Sequence, residues 1–320
     1  MKFASRLVSA SALVALLIAG TSAVALDSVK FMIPANPGGG WDQTGRNLSA
    51  AMIKANVVKS AQFENKGGAG GTIGLAQFVN TSKGDGNAIM IGGMVMVGGI
   101  ILNKSAVNLG MVTPMARLTG EYEVLVVPTS SPIKTLKDLL VKLKADPGSV
   151  SWGGGSAGGT DHILAGMIAG AVGVDPSKVN YIAYAGGGEA QAAILGGHVT
   201  VGVSGYGEFA AQIKGGKFRA LAISSDKRVA GIDVPTLREQ DVAVDLFNWR
   251  GVFGAPGITD AQKKELLAAI DTTVKSPAWK ETLIKMDWTD IYLSGDAFGK
   301  YLEEENKRIG DILAKLNLKK

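Results

Sequence analysis

Glycine clusters mark the places where this sequence could do chemistry. Pro37-Gly38-Gly39-Gly40 precedes Trp41-Asp42, and Gly67-Gly68-Ala69-Gly70-Gly71 precedes Thr72. Gly153-Gly154-Gly155-Ser156-Ala157-Gly158-Gly159-Thr160 and Ala185-Gly186-Gly187-Gly188-Glu189 follow the same plan. Each comes after a strand-like segment and before a helical pattern. Glycine lets backbone come close to a ligand, and the free N–H groups of a first helical turn make an anion site. Facing rings of such donors would suit a ligand with a carboxylate at each end. Taken singly, each cluster is more readily a tight turn. Gly93, Tyr184 and Ser204 stand at further strand ends and join the candidate positions. Ser156 and Thr160 are hydroxyl donors to a carboxylate, or helix caps. Asp42 and Asp161 begin helices and read equally as caps. Trp249-Arg250 offers a bidentate fork beside a flat wall, or a structural ion pair.

Two motifs compete for the same glycines. Gly153-x-Gly155-x-x-Gly158 fits the dinucleotide fingerprint, with Asp175 near the ribose-binding distance but in a loop-like Val174-Asp175-Pro176 setting. Chance matches are expected among 44 glycines. Gly154-x-Ser156-x-Gly158 fits a nucleophile elbow, which makes a secreted serine hydrolase using Ser156 the alternative function. Its triad would need a histidine, and the chain has only His162 and His198. His162 falls in the helix directly after Ser156, too close to be the usual partner, and His198 sits in a turn. With no cysteine and two isolated histidines, no metal-ligand set is recognisable. No metal, cofactor or catalytic residue is expected.

The elements that must position these residues alternate as strand, glycine turn and helix. Val29–Ile33, Gln62–Glu64 and Ala88–Ile91 read as strands, with helices from about Asp42 and Thr72. A second set follows: strands at Val124–Val127, Ser149–Trp152, Val179–Tyr184, Val199–Val203 and Ala220–Ile223, with helices between them. Such alternation predicts an α/β fold with a largely parallel sheet covered on both faces. Ligands then bind outside the carboxyl ends of the strands. The order suits two doubly wound lobes, residues 26–123 plus 235–320 and residues 124–234. Segments near Glu121–Pro128 and Val234–Gly254 would cross between them as a two-segment hinge. One continuous doubly wound domain fits the periodicity as well.

The first 25 residues read as a secretory signal. Lys2 and Arg6 precede the apolar run Leu7–Gly20, and Ala23-Val24-Ala25 is a small-x-small cleavage site. An uncleaved anchor is the alternative, and the run is short for a membrane span. The absence of cysteine excludes disulfides and a lipid-modified N-terminal cysteine. The expected location is therefore the periplasm. The net charge of +5 forms no basic stripe, which argues against nucleic acid.

The motifs in order resemble one family. Pro34-Ala35-Asn36-Pro37-Gly38-Gly39-Gly40-Trp41-Asp42 through Arg46, Asn65-Lys66-Gly67 through Gly74, and Trp152-Gly153 through His162 are similar to solute receptors of tripartite tricarboxylate transporters. Tyr184-Ala185-Gly186-Gly187-Gly188-Glu189-Ala190, Gly196-Gly197-His198-Val199 and Asn248-Trp249-Arg250-Gly251 extend the resemblance over the whole exported chain. It implies a type II periplasmic-binding-protein fold that closes on its ligand. It also implies delivery to a permease with one large and one small membrane subunit. The Pro34–Asp42 and Gly67–Thr72 loops would hold one carboxylate, partly through water, and the Ser156–Thr160 and Gly186–Glu189 loops the other end. The Trp41-Asp42, Gly-Gly-Gly-Glu and Asn-Trp-Arg-Gly features look closest to a citrate-type branch. The expected protein is a monomeric receptor for a di- or tricarboxylate. A standing adaptor or sensor for a membrane protein is a third reading.

Overall fold

The computed structural model describes residues 26–318 apart from Gly186, so the export signal and its cleavage near Ala25 lie outside the described residues. The chain opens with β1 (Leu26–Ile33), α1 (Gly40–Lys54), β2 (Val58–Asn65), α2 (Thr72–Thr81), β3 (Ala88–Gly93) and α3 (Met94–Leu102). The long strand β4 (Thr113–Pro128) leads to α4 (Leu136–Ala145), β5 (Ser151–Gly154), α5 (Thr160–Ala171), β6 (Asn180–Ala183) and α6 (Gly187–Leu195). Then come β7 (Val201–Gly205), α7 (Tyr206–Lys214) and β8 (Phe218–Ile223). The chain finishes with β9 (Phe247–Gly254), α8 (Asp260–Lys275), α9 (Pro277–Lys285), β10 (Thr289–Ser294) and α10 (Asp296–Lys315).

The strands hydrogen-bond in the order β2-β1-β3-β9-β4-β7-β5-β6, with β8 and β10 also on β4. β1 is parallel to β2 and β3, and β5 is parallel to β6 and β7, joined by helical crossovers. β9 runs antiparallel to both β3 and β4. β4 connects two strand groups: its first part, Thr113–Tyr122, pairs with β9, while Glu123–Val126 pairs with β7.

Side-chain alternation along β4 decides what each residue packs against. Leu125 and Val127 enter the main core, whereas Val124 and Val126 enter a smaller one with Ile194, Phe209, Phe218 and Ile223. Both faces are covered, which is why the run reads as continuously apolar. The strand is longer than Val124–Val127 because the polar-interrupted stretch before it pairs with β9 and β10. β10 gave no strand signal: it is exposed to half-buried and pairs only with β4. At the C-terminus, α10 buries Phe298, Leu302, Ile309 and Leu313 at helical spacing. Glu305 of α10 accepts the Trp249 indole N–H at 3.0 Å and is paired with Arg308, which fixes the helix to β9.

Candidate functional site

The segments that follow β1, β5 and β6, together with the end of β7, line one cavity of about 90 Å³. α1, α5, α6 and α7 all begin at it, through Gly40, Asp161, Gly187 and Glu208. α1, α5 and α7 start after Gly39, Gly159 and Gly205, and no side chain caps them. α4, α8 and α9 instead carry side-chain caps from Thr135, Thr259 and Ser276. The first-turn amides at the cavity are therefore left to other acceptors. The two glycine loops nearly touch: a Cβ on Gly39 would stand 3.2 Å from the Gly187 nitrogen.

Of the positions expected from sequence, Gly39, Trp41, Ser156, Tyr184, Gly187, Ser204 and Arg250 are brought together on the cavity wall. Pro37 and Gly38 are exposed beside it. Asp42 is buried and turned into the protein, accepting from the Gly38 amide at 3.0 Å, Arg46 at 2.9 Å and Asn65 at 3.0 Å. Burial raises its pKa, but those donors outweigh it and hold the carboxyl below its ordinary value. Gly68, Ala69 and Gly70 are off the wall. All three have positive φ, and a Cβ on Gly70 would lie 2.7 Å from the Gly99 Cα, so this cluster seats a loop on α3. Gly93 lies against the Trp249 carbonyl, and Gly158 against Leu102 and Gly98. Ala157 is half-buried off the wall, and the buried Thr160 hydroxyl has no partner. Glu189 accepts from Asn36 and from the Ala185 amide, at 3.0 and 3.3 Å. Gly186 lies outside the described residues.

The sequence reading takes Asp161 for a helix cap and does not single out Glu121, Glu123 or Glu208 as site residues. Glu208 and Asp161 line the cavity, as does Asn248. Glu121 and Glu123 are buried on β4. Residues two apart on a strand share a face, so Asn248 and Arg250 face the cavity while Trp249 turns to α10. Trp249 is therefore not the wall beside Arg250. The Arg250 Nη2 pairs with Glu121 and lies 3.1 Å from Glu208, so the fork is already occupied on one side. Its Nη1 is buried without a partner, as is Asn248 Oδ1, while the buried Glu123 carboxyl lies against Asp161 and Asn248. The available signal was Glu121-x-Glu123 running into Val124–Val127, charge at the head of an apolar strand, matched by Asn248-x-Arg250.

Burial and the neighbouring Asp161 charge push Glu208 up to about 8, against the pull of Ser204 and the Gly40 amide. Burial, then the Asp161 charge, raises Glu123 well above the carboxylate range. Asp161 itself is raised by burial, although the Gly155 amide donates to it. Burial lowers Arg250 to about 9, which leaves it charged at neutral pH.

Neither competing motif finds its partners. The Nδ1 of His162 accepts the Gly158 amide at 3.1 Å, its ring stacks on Tyr181, and burial lowers it to about 4. No hydrogen bond joins Ser156 to either histidine, and His198 is exposed in the turn after α6. Asp175 caps a short turn, accepting from the Ser177 amide. Among the described residues no group of three or more acids and histidines could hold a metal ion. None of their helices is long and apolar enough to cross a membrane.

The family model described as "Tripartite tricarboxylate transporter family receptor" matches residues 46–318. The "UPF0065 protein in gbd 5'region" of Cupriavidus necator is 28% identical over 296 residues, covering 91% of this chain and 88% of that protein. The solved structure of the periplasmic binding protein BugD superposes with TM-score 0.82 at 21% identity, covering 92% of this chain and 98% of that one. MatC of Rhodopseudomonas palustris with bound malate gives 0.78 at 22%, covering 90% and 99%. At these identities the two structures establish the fold alone, an α/β periplasmic-binding-protein-like one.

Proposed function

This chain belongs to the tripartite tricarboxylate transporter receptor family, and on that premise we propose that it captures a small carboxylate in the cavity and delivers it to a two-subunit membrane permease. It is a receptor and not an enzyme. The observation that carries the reading is the convergence of α1, α5, α6 and α7 on one cavity, three of them begun by glycines without side-chain caps. Oriented amides of this kind favour an anionic group. MatC, similar in fold, holds malate, and citrate is the other acid to test first on the sequence resemblance.

In this reading residues 26–123 plus 235–320 form one lobe and residues 124–234 the other, with β4 and the Val234–Gly254 segment as the hinge. Gly39 and Trp41 act from one side, and Ser156, Tyr184 and Gly187 from the other. The protein works in the periplasm after removal of residues 1–25, and as a monomer. A thermal-shift screen of ligand-stripped protein against small carboxylates, amino acids and sugars tests it. A ligand that binds only the folded state raises the melting temperature. A shift with carboxylates and none with sugars is expected. No shift with any carboxylate-bearing solute would overturn the proposal.

A further inference from the structure

The cavity wall carries an excess of acid. Glu208 and Asp161 face it, and Glu123 is buried beside them. Arg250 is the one guanidinium on the described wall, no lysine joins it, and its Nη2 is engaged by Glu121 and Glu208. Buried carboxylates left without a counter-charge are strongly unfavourable. They must therefore hold protons or meet a cation.

The unpartnered atoms make an independent observation. Asn248 is 6% exposed and lines the cavity, and its Oδ1 has no hydrogen-bond partner. It is an acceptor, and it calls for a hydrogen-bond donor on the ligand. Arg250 is 2% exposed, and its free Nη1 is a donor that calls for an anion. Acceptors and a charged donor at one small cavity describe a ligand with both charges. A metal ion does not answer the acids, because no group of three or more such side chains among the described residues could hold one.

Resting on the receptor reading above, we infer that the ligand bears a protonated amine beside its carboxylate. The ammonium lies against Glu208, Asp161 and Asn248 Oδ1. The carboxylate takes Arg250 Nη1 and the first-turn amide at Gly187. An all-acid ligand such as citrate would instead require Glu208 and Asp161 to keep their protons.

The charged groups facing Glu208 are Arg250 from β9, Glu121 and Glu123 from β4, and Asp161 from α5, with only the Gly40 amide from α1. With Glu208 at about 8 in the free site, an ammonium displaces its proton. Binding of the amine-bearing solute therefore releases protons and tightens from pH 6 to pH 8.

The experiment is calorimetric titration of ligand-stripped protein with matched pairs, L-glutamate against glutarate and 4-aminobutyrate against butyrate, with citrate as a third arm, in buffers of different ionisation enthalpy. A charge-assisted hydrogen bond is worth about 1.5–3 kcal/mol, so the amine-bearing member should bind about ten- to hundred-fold tighter. Glu208→Gln should remove that preference, and so should Asp161→Asn, a second variant in case the first folds poorly. Equal or tighter binding of the amine-free acids, with proton uptake, overturns the inference and leaves the receptor reading intact. Binding of citrate but of neither amine does the same. Saturable binding of none of these acids overturns both.

Discussion

Asn36 Nδ2 stands 3.0 Å from Glu189 Oε1, a hydrogen bond between residues 153 apart in sequence. It ties the loop after β1 to the first turn of α6, the two segments whose glycines meet at Gly39 and Gly187. The contact is exposed, and a hydrogen bond of this kind is worth about 0.5–1.5 kcal/mol. Glu189→Ala should weaken solute binding about two- to ten-fold while the unliganded melting temperature stays within a degree or two. Titration of both proteins checks this. Unchanged affinity would remove the clasp from the account.

Gly187 has no room for a side chain. A Cβ there would run into the Glu208 carboxylate and stand 3.5 Å from the Gly39 Cα. Gly187→Val should abolish measurable binding in a protein that still folds, as followed by circular dichroism and titration. Wild-type affinity would remove this loop from the site.

Glu121 is the buried partner of Arg250, with exposures of 1% and 2%. Taking one member from a buried pair leaves the other charge uncompensated, at a cost of about 3–5 kcal/mol. Glu121→Ala should lower unfolding stability by about that much in urea titrations. A loss below 1 kcal/mol would mean that Glu208 alone suffices to neutralise Arg250.

The pH dependence has a definite sign. Glu208 is raised from 4.5 to about 8 in the folded protein. Its contribution is full below its unfolded pKa and is lost as pH rises through about 8. His162 is lowered from 6.5 to about 4, so its contribution is present above 6.5 and lost as pH falls through about 4. The two oppose each other between pH 4.5 and 6.5, and above 6.5 only Glu208 acts of the pair. The unliganded melting temperature should fall from pH 6.5 to pH 8, and Glu208→Gln should flatten that fall. A wild-type curve that rises over this interval would place the Glu208 proton elsewhere.

Where the sequence was legible, backbone geometry was doing the work. Glycine clusters at strand ends, the helix starts near Thr72 and Thr160, and the buried parallel strands all leave local patterns. β10 left none, because a strand paired only with β4 and at most half-buried needs no apolar alternation. The glycine clusters also looked alike in sequence although the structure separates them. Gly39 and Gly187 line the cavity, whereas Gly68 and Gly70 serve positive φ and close packing on α3. The acids were hidden for a different reason. Glu121 and Glu208 are 87 residues apart in numbering and both pair with Arg250, so their chemistry is a product of tertiary packing.

The most direct measurement is calorimetric titration of the ligand-stripped protein with a carboxylate-bearing panel that spans plain acids and amino acids. The account predicts saturable binding at one site per chain, loss of that binding in Gly187→Val, and recovery of the solute chemically unchanged. Absence of binding across the panel, or consumption of the solute, would contradict it.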